Sequence, residues 1–167
     1  NELSDEDLST RLSNFFNSWS NLANKPQDIG LRQVVLQAGE SVATWLSDVR
    51  GQLSGLNADV DDRIKAVATT ADGLARQIAD LNTQITQTEG GGGGQANGLR
   101  DQRDVLLGKL SELINIQTKE QPSGAINVFV NSEPLVTNGE STGIGVRDQI
   151  IDGKQVRTLI FQRTDSE

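Results

Sequence analysis

The sequence of 167 residues contains no histidine, cysteine, methionine or tyrosine. A chain without histidine and cysteine has no catalytic triad, no thiol nucleophile and no zinc site of the usual nitrogen and sulfur kind. It also has no disulfide, although this absence does not identify the compartment. Composition alone therefore excludes several large classes of enzyme chemistry.

Basic residues are also in the minority. There are 15 Lys and Arg against 23 Asp and Glu, which gives a formal net charge of -8. Phosphate backbones and anionic membrane faces repel such a surface. No apolar run approaches the roughly 18 residues that span a bilayer, and the start of the chain lacks the pattern of a signal peptide. We expect no nucleic-acid partner and no membrane partner.

Aromatic residues make up only 4% of the chain and hydrophobic residues 35%. These fractions are low for a compact globule and typical of long helices that share a narrow apolar seam. We therefore expect helices with a thin core. The chain begins at Asn1 and stops at Glu167 in polar sequence, so we expect it to be a fragment of a longer protein.

A first helix is predicted over residues 4–24. Ser4 precedes the acidic turn Asp5–Asp7, which places an N-cap and negative charge at the positive end of the helix dipole. Pro26 ends the helix near Asn24. Its apolar residues follow one another in steps of mostly three and four along one face: Leu8, Leu12, Phe15, Phe16, Trp19 and Leu22.

A second, much longer helix is predicted over residues 28–88. Gly51 and Gly55 lie inside it, and each costs about 1 kcal/mol relative to alanine, so a kink or break is expected there. We expect Trp19 and Trp45 to fill the packing between the first two helices. The apolar residues form a coiled-coil-like seam: Val42, Leu46, Val49, Leu53, Leu56, Val60, Ile64, Val67, Ala71, Leu74, Ile78, Leu81 and Ile85.

Three pairs on the outer face of the second helix place an acidic residue four positions before a basic one. Such pairs each add a few tenths of a kcal/mol to an isolated helix. The pairs are Asp59 with Arg63, Asp61 with Lys65 and Asp72 with Arg76.

Five consecutive glycines, Gly90–Gly94, predict a flexible turn that holds no helix. A third helix is predicted over residues 97–113, and the short connection favours antiparallel packing along the end of the second. Arg103 interrupts its apolar face. We expect the Arg103 stem to lie along the seam and the guanidinium to pair with a nearby carboxylate.

From Ile114 onward the apolar residues alternate with polar ones at period two, which predicts strands over Ile114–Thr118 and Ile126–Val130. Turn signals follow these segments: Pro122–Gly124, Asn138–Gly139 and Asp152–Gly153. The last turn joins Val146–Ile151 with Lys154–Phe161. A tail of about 50 residues is near the lower limit for folding alone. It either rests on the helices or belongs to a sheet with strands outside this chain.

These patterns predict a mainly α fold with a smaller β part. Residues 1–115 form a long antiparallel, coiled-coil-like helical rod. Residues 116–167 form β-hairpins, the start of an outer β domain.

We predict no catalytic, cofactor-binding or metal site. The glycine run follows a helix and lacks the Gly-Lys-Ser/Thr of a phosphate loop. Asn57, Asp59 and Asp61 match the first three ligand positions of a calcium loop, but Asp62 stands where glycine is needed and Ala68 where the bidentate glutamate is needed. A solvated helix face explains these residues better. The carboxylates also lack the aromatic residues that line a sugar site.

Several segments of the chain, in order, resemble one family. They are Leu12–Asp28, Arg32–Leu36, Leu99–Leu107, Leu110–Leu113, Ile126–Val130 and Pro134–Val136. Together they are similar to the flagellar hook-associated protein 1 family, the hook–filament junction proteins. The glycine run is not a hallmark of that family.

The resemblance implies a structural axial protein of the bacterial flagellum rather than an enzyme. Such a protein is extracellular and is exported by the flagellar type III apparatus without a cleaved signal peptide. The implied partners are the hook protein, neighbouring hook-associated proteins and an export chaperone for the full-length protein. Self-association would use terminal coiled-coil segments outside this chain. Asp101, Arg103 and Asp104 carry over only as a structural motif.

Other interpretations remain open at this point. A sibling axial protein, such as hook-associated protein 3 or a flagellin, shares long helices with an outer β domain, although Pro26 and the run Asp101–Asp104 favour the first interpretation. A non-flagellar helical scaffold or adaptor would show the same seam and would need an exposed apolar groove beyond its own packing. An acidic hydrolase would need a concave carboxylate site.

We expect the 167-residue chain to be a monomer at micromolar concentration, because the segments implied to drive assembly lie outside it. Sedimentation equilibrium should report the monomer mass of 18.0 kDa. A tight dimer or a filament would contradict the assignment of self-association to those absent segments.

Overall fold

The computed structural model describes residues 8–91, 94–151 and 154–162. In these ranges the helices are α1, Leu8–Asn24, α2, Ile29–Gly90, and α3, Asn97–Leu113. All three predicted helices are confirmed. The predicted N-cap Ser4, its acidic turn and the hairpin turn Asp152–Gly153 lie outside the described residues.

The long helix α2 starts where the sequence predicts. The Asp28 side chain accepts a hydrogen bond from the Leu31 backbone N–H at 3.2 Å, which is the geometry of an N-cap. The helix then continues through Gly51 and Gly55, so the predicted break is wrong there, while a kink at these glycines stays a prediction. Extending an existing helix forms one hydrogen bond per residue fixed, and this cooperativity outweighs two isolated glycines.

The helix α2 also extends further than predicted at its other end. Gly90 is its last residue, and the Gly91 N–H donates to the Gln87 carbonyl at 3.3 Å. The prediction that the glycine run holds no helix is therefore wrong at Gly90. Glycine is well tolerated at the carboxyl end of a helix, where the chain turns away.

The chain divides into two compact units, one ending at Asp59 and the other beginning at Val60. In the first unit, α1 packs on the first part of α2. The Phe15 ring lies so close to Gly39 that a Cβ there would be 3.4 Å from the ring. Arg11 donates to the Ser41 hydroxyl at 2.7 Å. Among residues 8–59 of this unit, Val35 is the one buried aliphatic residue, so this part of the core is thin, as the composition indicates.

The second unit contains two antiparallel sheets. The strands β1 to β4 pair in chain order into one sheet, and β5 pairs with β6 in the other. The six strands are Gln117–Glu120, Ile126–Val130, Glu133–Thr137, Glu140–Ser141, Ile144–Ile151 and Lys154–Phe161. The first strand begins three residues later than predicted, because Ile114 still caps α3 with its N–H on the Leu110 carbonyl.

Two hairpin turns in the larger sheet have left-handed backbone. Asn131 and Ser132 have φ of 50° and 69°, and Asn138 and Gly139 have φ of 51° and 81°. Positive φ at both central residues is the type I′ geometry whose twist matches a β-hairpin. The turn at Asn138–Gly139 was predicted, whereas the turn at Asn131–Ser132 was not, because serine rarely adopts this conformation.

Both sheets pack on α2, so the tail rests on the helices, the first of the two alternatives. Small residues of α2 let the strands come close to its backbone. The shared core consists of Ala68, Ala71, Ala75, Ile78, Ala79, Leu110, Val128, Leu135, Val136 and Ile144. The strands share this core with α2 and α3, and all of them lie in the second compact unit. The division into a helical rod domain, residues 1–115, and the start of an outer β domain, residues 116–167, stays a prediction. The fold class, mainly α with a smaller β part, is as predicted.

Truncation of Leu110 to alanine should destabilise the second unit by about 3 kcal/mol, because this side chain is fully buried and leaves a cavity. Val105→Ala on the same helix is the matched control. Val105 is mostly exposed, so its truncation should cost about 0.5 kcal/mol or less. Urea unfolding of both variants measures the difference, and equal effects would place Leu110 outside the core.

Candidate functional site

The Arg103 guanidinium on α3 is a buried cation of the second unit. This residue is 2% exposed, and burial lowers its pKa. Its Nη1 donates to the Asn82 side-chain oxygen at 3.1 Å and to the Gly124 carbonyl at 2.7 Å. The Nε has no hydrogen-bond partner among the described residues. A buried cation thus holds the turn between β1 and β2.

The predicted pairing of Arg103 with a nearby carboxylate is present but long. The largely exposed Asp104 carboxylate lies within salt-bridge distance of the Arg103 Nε, at 3.9 Å, whereas both hydrogen bonds of Nη1 go to neutral oxygens. Adjacent residues on a helix do not face each other, so Asp104 points outward while Arg103 points into the core. Asp101 is exposed as well.

Asn82 on α2 is the second buried polar residue of this network. Its amide nitrogen donates to the Ile126 carbonyl at 2.7 Å, and its oxygen accepts from the Ile126 N–H at 2.9 Å. The side chain therefore satisfies both backbone groups of the first residue of β2. Sequence reasoning missed Asn82, although a polar residue four after Ile78 and three before Ile85 was a visible signal.

Gly124 is required at the turn that these side chains hold. Its φ is +81°, and a Cβ would lie 2.5 Å from a Glu89 oxygen and 2.7 Å from an Arg100 nitrogen. A side chain at this position would meet both a strained backbone and two engaged charged groups.

An ion-pair network lies beside this turn. Arg100 donates from Nε and Nη2 to the two oxygens of Glu89, each at 2.8 Å, and from Nη1 to Glu120 at 2.8 Å. Glu89 also accepts the Ala96 N–H at 3.0 Å. The bidentate Arg100 contact, followed by the Ala96 N–H, lowers the pKa of Glu89 to about 2. We call Asn82, Glu89, Arg100, Arg103, Glu120 and Gly124 the arginine junction.

The arginine junction connects α2, α3, β1 and the turn that leads into β2. The Glu89 carboxylate is engaged by Arg100 and by a backbone N–H, and the Arg103 guanidinium donates its hydrogen bonds to neutral oxygens. This arrangement positions secondary structure and offers no free acid, base or nucleophile next to a cavity. Among the described residues, no cluster of three or more acidic side chains could hold a metal ion.

The first unit presents the other candidate feature, a set of exposed apolar side chains. Leu46, Leu53 and Leu56 of α2 are each at least half exposed. Their steps of seven and three match the spacing of a coiled-coil contact face. We call these three leucines the exposed seam. Exposed apolar residues that share one helix face form a candidate surface for contact with another protein.

The two tryptophans of the first unit differ in their exposure to solvent. Trp19 is 50% exposed and stands edge-on to Phe15, with the ring centroids 6.4 Å apart. The prediction that Trp19 fills the packing between the helices is therefore wrong, because Phe15 occupies the position against Gly39. Trp45 is half-buried and lines a shallow cavity with Arg11 and Ser41.

The acidic residues weighed as a calcium loop lie within α2, where Asn57, Asp59 and Asp62 are exposed. Of the three predicted acidic–basic pairs, only Asp72 and Arg76 come within salt-bridge distance in the described part of the chain, at 3.0 Å. Asp72 also accepts the N–H of Ile144 at 3.0 Å. This hydrogen bond from α2 to the start of β5 was not predicted.

None of the described helices combines the length and hydropathy of a membrane span.

The known proteins that resemble this chain agree with one another in their description. The family model described as the flagellar hook-associated protein FlgK helical domain matches residues 1–167. Flagellar hook-associated protein 1 of Bacillus subtilis is 31% identical over 160 residues, which is 92% of this chain and 30% of that protein. The Escherichia coli protein of the same name is 30% identical over 131 residues, 77% of this chain and 24% of that protein.

A solved structure is similar as well. The flagellar hook junction protein FlgK from Burkholderia pseudomallei matches with a TM-score of 0.85 at 26% identity, over 96% of this chain and 28% of that one. The chain thus spans less than a third of the length of these relatives.

The arginine junction predicts a pH dependence of stability. Glu89 titrates near 4.5 when unperturbed and near 2 in the folded protein, so the unfolded chain takes up the proton first as the pH falls. Its stabilising contribution is complete above pH 4.5 and is lost progressively between about pH 4.5 and pH 2. Glu89→Gln should therefore lower stability at neutral pH and weaken the loss of stability on acidification.

Urea unfolding at neutral pH and at about pH 3 measures this difference. Glu112→Gln, an exposed glutamate on α3, controls for the removal of one negative charge. If Glu89→Gln and Glu112→Gln respond to acid in the same way, the junction does not carry the predicted dependence.

Proposed function

The chain belongs to the flagellar hook-associated protein FlgK helical-domain family, and on this basis we propose that it is a structural part of the junction between hook and filament. The observation that carries the proposal is the family match over the whole chain. The likeness to a protein described as a hook junction protein supports it. The relatives are more than three times longer, so the proposal concerns the protein to which this chain contributes.

The mechanism that we propose is contact between subunits without chemistry. The arginine junction supports it, because its charged groups are used to position strands on helices. The exposed seam supports it too, since the leucines gain little free energy until another surface removes them from water. In this proposal residues 1–115 correspond to the helical rod domain and residues 116–167 to the start of the outer β domain.

The proposed partners are the hook protein and neighbouring hook-associated proteins. We further propose an extracellular location in the flagellum, export by the type III apparatus without a cleaved signal peptide, and an export chaperone for the full-length protein. Family membership supports each of these points. The chain itself is expected to be monomeric.

Replacing Leu53 and Leu56 together by serine tests the contact mechanism in cells that carry the full-length protein. Both side chains are exposed, so the double variant of the 167-residue chain should keep its helical circular dichroism and melting temperature. In cells it should be exported normally, yet motility and recovery of filaments attached to hooks should fall about tenfold or more, as expected when central apolar contacts are removed.

The control replaces Asp59, Asp61 and Asp62 together by asparagine on the same helix. It should leave motility nearly unchanged, because the proposed mechanism uses no ion and no carboxylate. Loss of motility in this control, with folding and export intact, would contradict the proposal that the protein acts by subunit contact without chemistry. Full motility of the Leu53 and Leu56 variant would place the subunit contact elsewhere.

A further inference from the structure

A run of consecutive residues of α2 in the first unit, Arg50–Asp59, is exposed at every position. We call this run the uncovered segment. It makes roughly three helical turns, so every side of the helix faces solvent along it. Its two leucines are no exception, since Leu53 is 56% and Leu56 59% exposed. Along the uncovered segment, no face of α2 is therefore buried.

The parts of α2 on either side of the uncovered segment are packed. Before it, Val35 is buried and Gly39 lies against the Phe15 ring of α1. Beyond it, in the second unit, Ala68 and Ala71 are buried in the core that α2 shares with the strands. Most of the stability of a protein helix comes from such packing of one face. The uncovered segment lacks this contribution, whereas both flanking parts have it.

The local sequence does not replace the missing packing. The predicted ion pair between Asp59 and Arg63, which would support the helix at the end of the segment, is not formed. Solvent-exposed backbone hydrogen bonds and few buried contacts are the features of segments that open locally. Half of the residues in the segment are also poor helix formers: Gly51, Ser54, Gly55, Asn57 and Asp59.

The two glycines of the segment do not make room for a neighbouring element. A Cβ added at Gly51 or at Gly55 would meet no atom within 4 Å outside its own stretch of helix backbone. What glycine does provide is additional conformational freedom in the open chain, which lowers the free energy of the open state relative to the helix. Two glycines four residues apart therefore favour opening in the middle of the segment.

We propose that the uncovered segment is a conformational device, which opens from helix to coil and closes again while the flanking parts of α2 stay folded. The helix remains the ground state, because closing only extends helix that is already formed on both sides. Leu53 and Leu56 share a face with Leu46 only while the segment is helical. Each opening therefore removes two of the three leucines from the exposed seam. The effect on subunit contact rests on the proposed function, whereas the opening itself does not.

Hydrogen exchange of the 167-residue chain, followed by mass spectrometry of its peptides, tests the opening. The backbone amides of residues 51–58 should exchange at least about a hundredfold faster than those of residues 68–85, which exchange only when the shared core separates. They should also exchange faster than residues 33–42. Equal protection in residues 51–58 and 68–85 would overturn the proposal. Equal exchange in residues 51–58 and 33–42 would overturn it too, because the whole first unit would then open together.

Replacing both glycines by alanine tests the cause of the opening. Alanine favours the helix over glycine by about fivefold at each position, so Gly51→Ala with Gly55→Ala should slow exchange in the segment about twentyfold. The matched control is Gly73→Ala in the packed part of α2, where a Cβ also meets nothing within 4 Å. The control should leave exchange in the segment unchanged. Undiminished exchange in the double variant would contradict the proposal.

Trypsin provides a second measurement, because it cleaves a chain that has left the helix. Cleavage after Arg50 should precede cleavage after Arg76, which is exposed but lies in the packed part of α2. When closing is faster than cleavage, the rate follows the open population, so the double alanine variant should delay the cut after Arg50 about tenfold or more. Earlier cleavage after Arg76 would contradict the proposal.

The exchange and motility experiments fail separately. Full motility of the Leu53 and Leu56 variant would place the subunit contact elsewhere and leave the measured opening as it is. Slow exchange in the uncovered segment would overturn the opening and leave the proposed contact as it is.

Discussion

A buried arginine that must find hydrogen-bond acceptors is the constraint on which the second unit depends. Leaving the Arg103 cation in an apolar interior without partners would cost several kcal/mol. The Gly124 carbonyl and the Asn82 amide supply those acceptors, and the same amide satisfies both backbone groups of Ile126. The β1–β2 turn can therefore sit in only one place on α2 and α3, because any shift would leave several buried polar groups unpaired.

The neighbouring apolar contacts are compatible with this placement but do not select it. Alanines on α2 make a smooth face on which the strands pack closely, and a smooth face tolerates more than one register. Directional contacts remove that freedom. Asp72 holds the start of β5, Asn82 holds the start of β2, and the Glu89–Arg100–Glu120 network closes the connection between α2 and α3 and ties it to β1.

The surface differs from this interior because some of its apolar side chains have no packing partner within the described chain. Apolar side chains stay exposed in the exposed seam of the first unit and at Val105 of α3 in the second. Each lies on a helix that is already held in place by other residues, so its exposed side chains are free to contact another protein. A protein that functions by contact needs a packed interior and available surfaces, and the described residues provide both.

The sequence by itself determined the three helices and the hairpin turn at Asn138–Gly139, because periodicity and turn residues act locally. The resemblance of several segments, taken in order, indicated the family. It also showed Arg103 as an anomaly in an apolar face. Only the tertiary structure decided which groups accept hydrogen bonds from Arg103. Asn82 and Gly124 are each 21 residues from Arg103, and no local rule relates them. The tertiary structure also decided that Phe15 lies against Gly39 of α2 while Trp19 stays half exposed, since a helical period defines a face but not the depth to which each residue is buried.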